Sequence, residues 1–239
     1  MERGRIRWRR FQPTPRRLQR TFLRALLRGT RGRSLSAVAV ASVVPGLDKG
    51  VRRFFEQETG RCPFFISHRA DLGFTLKVDR PREVGADRLA DIAGALVRHR
   101  PPLIVIDSGT AVTCDVVNSR CEYIGGAIFP GMALASRALA DHTAKLRKVS
   151  VRVPDSPLGT QTAAQIRAGI FFGSLGALER LIREYQKILG VKCPVIATGG
   201  LSLLLRGRAG VIDEYDPDLI FLGIHSIRQR NAARAADHA

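Results

Sequence analysis

The sequence is poor in acidic residues, has one tryptophan and lacks any closely spaced cysteine pair, and each shortage excludes a class of protein. Its four cysteines form no C-x-x-C pair and its five histidines do not cluster, which argues against a structural zinc site and a disulfide framework. The longest largely apolar run, residues 37–44, has the length of a strand and cannot span a bilayer. No secretory apolar segment follows the basic N-terminus, so we expect a cytoplasmic protein without a membrane partner.

The formal net charge of +18 is of the kind found in proteins that bind nucleic acid or membrane surfaces. The charge is uneven, because twelve arginines fall within the first 33 residues against the single acidic residue Glu2. The sequence shows no aromatic signature of RNA binding. We therefore favour a solvated basic face over a nucleic-acid site, which stays the alternative.

Strands and helices alternate along the chain, and the spacing of apolar residues predicts an α/β fold with helices covering a mixed sheet. Three strands, 103–106, 111–117 and 121–128, are predicted to form an antiparallel meander. The other predicted elements that matter here are a helix over residues 16–29, a buried strand over 36–44, helices over 84–99 and 162–189, and a last helix from Asp216 that frays after Arg228.

The turn between the first two strands of the meander reads Asp107-Ser108-Gly109-Thr110. Gly109 allows the backbone to approach an anion, Thr110 supplies a hydroxyl and an amide donor, and Asp107 can hold a cation. The pattern thus predicts a phosphate and cation site. A tight turn without a ligand is the alternative.

Seven motifs occur in order along nearly the whole chain. They are SVVP (42–45), P-x-x-VGADR (81–88), DSGTAVTCD (107–115), GGAIFPG (125–131), QTAAQIRAG (161–169), ATGG (197–200) and DPDLIFLG (216–223). In these motifs the chain resembles the type III pantothenate kinases, or Baf-like family, of the actin/Hsp70/sugar-kinase superfamily. The resemblance implies a duplicated actin-like (ribonuclease H-like) ATPase fold. It also implies two halves, residues 1–80 and residues 81–239.

The resemblance further implies ATP-dependent phosphorylation of pantothenate to 4′-phosphopantothenate, the first step of coenzyme A biosynthesis. Asp87 would be the general base that accepts the proton of the attacking hydroxyl. Gly85, Ala86 and Arg88 would line the pantothenate site, where Arg88 can bind a carboxylate through two hydrogen bonds. Thr162 would also contact the substrate, in a homodimer.

The nucleotide and ion sites follow from the same resemblance. Asp107 would bind a monovalent cation, K⁺ or NH₄⁺, and Mg²⁺ would arrive with the ATP. The residues implied for nucleotide binding are Gly109, Thr110, Thr198, Gly199 and Gly200.

Each of these residues also has a purely structural interpretation. Asp87 suits the first turn of a helix because of the helix dipole, and Thr162 suits a helix N-cap. Gly199 and Gly200 could simply separate a strand from a helix. For Asp115, at the end of the DSGTAVTCD motif, the sequence leaves open whether the residue has a functional or a purely structural role.

Two departures from the family pattern lead to further expectations. The family's N-terminal D-x-G-N-T hairpin has no counterpart in this sequence, so we expect the first half of the fold to be truncated. We also expect this chain to be a poor kinase. The loss of one such phosphate-binding loop should remove several kcal/mol of transition-state stabilisation, on the order of the loss of one oxyanion site. Val78 and Arg80 stand where the family has Y-x-N. The alternative functions are a Baf-like regulatory or accessory protein and a same-fold kinase for another small hydroxy-acid.

Overall fold

The computed structural model describes residues 6, 8–10, 12, 15, 19–27, 35–200 and 202–236. The strands are β1 (Ala39–Val40), β2 (Phe64–Phe65), β3 (Thr75–Leu76), β4 (Leu103–Ser108), β5 (Ala111–Val117), β6 (Glu122–Pro130), β7 (Val195–Thr198) and β8 (Glu214–Tyr215). The helices are α1 (Arg20–Leu27), α2 (Pro45–Thr59), α3 (Ala86–Arg98), α4 (Met132–Asp141), α5 (Thr162–Leu189), α6 (Ser202–Leu205) and α7 (Leu219–Ala236).

The chain forms two compact units that do not follow its linear order. Unit 1 combines the chain up to Gly73 with residues 80–97 and the chain from Ile220 onward. Unit 2 comprises residues 74–79 and 98–219. The division into halves at residue 80 stays a prediction.

Unit 2 is built on a six-stranded mixed sheet in the order β3-β6-β5-β4-β7-β8. Strands β4, β5 and β6 pair antiparallel, which confirms the predicted meander, and β7 pairs parallel to β4. Because β4 and β7 run in the same direction, their carboxyl ends, Asp107-Ser108 and Thr198, lie side by side. This edge carries the predicted site.

One face of the sheet packs against α5 to form the core of unit 2. The buried side chains of this core include Ile104, Ile106, Val112, Cys114 and Val116 from the strands. Leu178 and Ile182 on α5 are fully buried against them, as expected when helical residues four apart share one face. α5 spans Thr162–Leu189, as the apolar periodicity predicts.

In unit 1, α3 and α7 pack with their backbones in close contact. A Cβ atom at Gly223 would lie 1.7 Å from the carbonyl oxygen of Ala90 and 2.8 Å from the amide nitrogen of Gly94. Leu89 and Ile227 are fully buried in the same unit. The glycine is therefore required for the approach of α7, which helps to fix the helix that begins at Ala86.

The C-terminal part of α7 is tied to residue 71, so the predicted fraying after Arg228 is wrong for residues 229–236, while residues 237–239 lie outside the described residues. Arg230 Nε donates to Asp71 Oδ1 at 2.9 Å, and Asn231 exchanges two hydrogen bonds with the Asp71 backbone. The Arg230 guanidinium holds the pKa of Asp71 below its ordinary value, helped by a hydrogen bond from the Gly73 amide. These contacts keep the helix regular to Ala236.

The strand predicted over residues 36–44 is also wrong in length, because only Ala39–Val40 pairs, with β2. The hydroxyl of Ser42 donates to the carboxylate of Asp48, and α2 already begins at Pro45. Residues 42–44 therefore form the entry to a helix. For the predicted N-terminal helix, the described part runs from Arg20 to Leu27, while residues 16–18 and 28–29 lie outside the described residues.

None of the helices in the described ranges combines the length and apolar character needed to cross a membrane.

Candidate active site

The turn between β4 and β5 is held by backbone hydrogen bonds and by the close approach of Gly131. Gly109 donates its amide to the carbonyl of Ala111 at 3.0 Å, and Thr110 is exposed at the tip. The amide of Gly131 donates to the carbonyl of Thr110 at 3.0 Å. A Cβ at Gly131 would lie 2.3 Å from the carbonyl oxygen of Gly109, so only glycine fits there. The last glycine of GGAIFPG thus supports the predicted phosphate turn.

Asp107 lies at the carboxyl end of β4, next to β7. It pairs with Thr198 in the parallel register. Gly199 has a φ of +88°, and a Cβ there would come within 2.1 Å of Asp107 Oδ1 and 2.7 Å of the Ser108 carbonyl oxygen. The carboxylate therefore occupies the space that a side chain at residue 199 would need. The structure thus brings together the predicted residues of the turn and of the ATGG motif.

The loop after β7 is fixed by hydroxyl groups. Ser202 donates to the carbonyl oxygen of Thr198 and, at 2.6 Å, is within reach of that of Gly199. The hydroxyl of Tyr215 donates to the carbonyl oxygen of Gly199 at 3.3 Å. Apart from its chain neighbours, no atom of the described residues lies within 4 Å of a Cβ placed on Gly200, so the backbone is open at that point.

A cavity of about 400 Å³ lies beside this loop. It is bounded by α6 and by the chain that leads into β8, and its lining includes Arg206, Asp213, Glu214 and Tyr215. Its volume is within the range of small-ligand pockets. Sequence reasoning did not predict this cavity, because most of its lining residues lie outside the seven motifs.

One face of the sheet carries a row of polar side chains across three strands. Thr113, Asp107 and Thr198 are direct neighbours in the register of β5, β4 and β7. Asp115, two residues beyond Thr113, is 1% exposed and accepts a hydrogen bond from the Thr113 hydroxyl at 3.2 Å. Sequence reasoning missed Thr113, although a polar residue two positions before Asp115 on a buried strand was a usable signal.

The donor atoms at Asp107 suit a hard cation bound mainly by oxygen. A carboxylate oxygen and the Ser108 carbonyl oxygen both lie next to Gly199. Among the described residues no group of three or more histidine, cysteine, aspartate or glutamate side chains could hold a metal ion. The two oxygen donors are of the type that hard cations such as K⁺ and Mg²⁺ prefer, and the binding of a cation here stays a prediction.

In unit 1, Asp87 lies in the first turn of α3 and is half-buried. Its Oδ1 accepts the amide of Arg88 at 2.8 Å. A Cβ at Gly85 would lie 2.5 Å from the same oxygen and 3.5 Å from Val43, so glycine leaves room for the carboxylate. The structure therefore places Gly85, Ala86, Asp87 and Arg88 together at the start of one helix.

Thr162 is the first residue of α5 and is exposed. The N-cap position belongs to Gln161, and no side chain caps this helix end. The structural alternative for Thr162, an N-cap, is therefore wrong. Its contact with a substrate stays a prediction.

Comparison with solved structures identifies the class of fold. The chain is similar to a conserved Baf family protein from Campylobacter jejuni, with a TM-score of 0.55 and 20% identity over 83% of this chain and 85% of that one. The predicted actin-like α/β class, a mixed sheet flanked by helices, is confirmed at this level.

Sequence comparison identifies the family. The model of the type III pantothenate kinase family matches residues 3–184. Proteins named type III pantothenate kinase are similar to this chain in Dehalococcoides mccartyi (37% identical, covering 86% of this chain and 80% of that protein) and Paramagnetospirillum magneticum (39%, 86% and 80%). The chain belongs to the type III pantothenate kinase family, as the seven motifs predict.

Proposed function

We propose that this chain transfers the γ-phosphate of ATP to the primary hydroxyl of pantothenate and so forms 4′-phosphopantothenate for coenzyme A biosynthesis. The observation that carries the proposal is the glycine-supported turn at Asp107–Thr110 in a chain of this family. At its exposed tip, Thr110 offers a hydroxyl and an amide suited to phosphate oxygens. Phosphoryl transfer depends mainly on such positioning and on neutralising charge.

Asp87 is the proposed general base. Its carboxylate is at a helix N-terminus and has room because residue 85 is glycine. Arg88, the next residue, offers two parallel N–H donors for the substrate carboxylate. Gly85 and Ala86 complete this proposed pantothenate wall, and Thr162 is proposed to contact the substrate as well.

ATP is proposed to bind at a second set of residues, Gly109, Thr110, Thr198, Gly199 and Gly200. The open space at Gly200 and the cavity of about 400 Å³ next to it give room for the nucleoside. Asp107 is proposed to hold K⁺ or NH₄⁺, and Mg²⁺ is proposed to enter with the nucleotide. A bound cation there would neutralise phosphate charge.

A homodimer is proposed through α5. No atom of the described residues lies within 4 Å of a Cβ placed on Gly169, Gly173 or Gly176, so this helix has open positions where a second helix can approach closely. Analytical ultracentrifugation of the wild type and of Gly173→Arg tests this proposal. A dimeric wild type and a monomeric variant support it, and a monomeric wild type refutes it.

The cytoplasmic location stays a prediction.

The kinase function is tested by following ADP release with pantothenate, ATP and KCl. Asp87→Asn is expected to lower kcat by about a hundredfold or more, the scale of a lost general base. The exposed Asp155→Asn variant is the matched control and should keep wild-type activity. ADP release that does not depend on pantothenate refutes the proposal.

A panel of short hydroxy-acids in the same assay tests the alternative of a different substrate, which rests on Val78 and Arg80. A higher kcat/KM for another hydroxy-acid than for pantothenate would identify that acid as the substrate. No feature of the described residues favours the regulatory or nucleic-acid alternative, and the family match spans most of the chain.

A further inference from the structure

Two polar side chains on β5, Thr113 and Asp115, are buried although the strand around them is apolar. Thr113 is 9% exposed and Asp115 is 1% exposed. Burial of a carboxylate is costly unless its oxygens are bound by other groups. The sequence predicted no role for Thr113 and left that of Asp115 open, so their burial at this place requires an explanation.

The register places Thr113 next to the proposed cation ligand. Thr113 of β5 is the direct partner of Asp107 of β4 in the antiparallel ladder. Side chains of directly opposed residues leave the sheet on the same face, with Cβ atoms about 5 Å apart. The Thr113 hydroxyl and the Asp107 carboxylate are thus on one face and within reach of one small ion.

Asp115 determines how the Thr113 hydroxyl is used. A threonine hydroxyl has one proton and two lone pairs. The proton of Thr113 is directed to Asp115 Oδ2, at 3.2 Å between the oxygens. With the proton engaged there, the oxygen is left with lone pairs, which are what a cation needs from a ligand.

We propose that Asp115 is a positioning residue for the monovalent-cation site: it accepts the Thr113 proton so that Thr113 Oγ1 joins the Asp107 carboxylate as a cation ligand. This inference rests on the cation site of the proposed function. It concerns Thr113 as a ligand and Asp115 as the residue that orients it. Neither is the proposed general base, which is Asp87.

The experiment measures ion binding directly, without turnover. The Tm of the full chain is followed as KCl replaces choline chloride at constant ionic strength, so that only specific binding raises it. Thallium(I), a K⁺ mimic, provides a second reading by thallium NMR. The variants are Thr113→Val, its conservative counterpart Thr113→Ser, and Asp115→Asn. A double variant combines Thr113→Val with Asp115→Asn.

Thr113→Val is expected to raise the KCl concentration at half-maximal Tm shift by about tenfold, the scale of one lost interaction with a charged group. Thr113→Ser keeps the hydroxyl and should stay within about twofold of wild type. Asp115→Asn replaces one acceptor oxygen by an amide N–H donor that competes for the lone pairs of the Thr113 hydroxyl, so it should raise the midpoint about three- to tenfold. If Asp115 acts through Thr113, the double variant is no worse than Thr113→Val alone.

The outcomes separate this inference from the proposed function. A wild type that does not respond to K⁺ refutes the proposed cation site itself. A wild-type response that Thr113→Val leaves unchanged overturns only the inference, and so do additive effects in the double variant. Should Asp115→Asn fail to fold, Asp115→Glu, which keeps the charge but moves the carboxylate, takes its place in the cycle.

Discussion

Gly223 in α7 lies directly against the carbonyl of Ala90 in α3, where a Cβ atom would be only 1.7 Å from the oxygen. Both partners of the contact are backbone, so neither can move aside as a flexible side chain would. The position of the helix that begins with the proposed catalytic segment therefore depends on a single missing methyl group.

Gly223→Ala is expected to lower the free energy of unfolding by about 3 kcal/mol, at the upper end for overpacking, because the two helices must separate. Urea unfolding followed by circular dichroism measures this. Gly46→Ala in α2 is the matched control, since none of the described residues beyond its chain neighbours has an atom within 4 Å of that Cβ, and it should raise stability by about 0.5 kcal/mol. Equal stability of Gly223→Ala and wild type would show that the helices do not pack this closely.

Gly199→Ala is expected to disturb the proposed nucleotide site. The residue has a φ of +88°, and its new Cβ would meet Asp107 Oδ1 at 2.1 Å. We expect a loss of about 1–3 kcal/mol in stability from the strained backbone, together with weaker ATP binding by calorimetry. Gly210→Ala, which adds a methyl group in open space, should change neither. Unaltered ATP affinity in Gly199→Ala would contradict the close carboxylate contact.

Two serines near the site predict opposite effects of the same substitution. The hydroxyl of Ser108 is fully buried and has no partner among the described residues, whereas that of Ser202 donates to backbone carbonyls of the ATGG loop. Ser108→Ala should therefore raise the free energy of unfolding by about 1 kcal/mol, and Ser202→Ala should lower it by about 1–2 kcal/mol. Thermal and urea unfolding of both variants measure the two changes in the free energy of unfolding. A less stable Ser108→Ala variant would show that the Ser108 hydroxyl makes a stabilising hydrogen bond and contradict the prediction.

The Asp71–Arg230 pair predicts a pH dependence of stability. The pKa of Asp71 is lowered in the folded chain from its ordinary value of 3.8, chiefly by the Arg230 hydrogen bond. Its stabilising effect is therefore complete above the ordinary value and is lost as the pH falls through the lower, folded-state pKa. A double-mutant cycle of Asp71→Asn and Arg230→Gln should give a coupling energy near pH 7 that declines below pH ~4 and vanishes at lower pH. A coupling that does not change with pH would exclude the charge of Asp71 as its source.

Local patterns predicted the parts of the fold that are decided locally. The bounds of β5 and α5 agree with their apolar periodicity, because each keeps one face in the core of unit 2. The motif at residues 107–110 was predicted as a turn, and its glycine support agrees with that. The family resemblance supplied the functional roles, which no periodicity could provide.

The errors have long-range causes. The order of α7 beyond Arg228 depends on Asp71, more than 150 residues earlier in the chain. The apolar run at 36–44 was too long as a strand because the Ser42–Asp48 hydrogen bond turns the chain into a helix. Thr113 was missed because its significance appears only in the register with Asp107, which a sequence does not show.

The packing of α7 on α3 also constrains the order in which the two units can fold during synthesis. The helix that bears Asp87 packs at Ala90 and Gly94 against Gly223 of α7, which leaves the ribosome more than a hundred residues later. Unit 2 can close around its sheet once residue 219 has been synthesised, whereas unit 1 must wait for the last helix. Until then, α3 lacks its packing against α7, and incompletely packed apolar surface of this kind is what chaperones bind during translation.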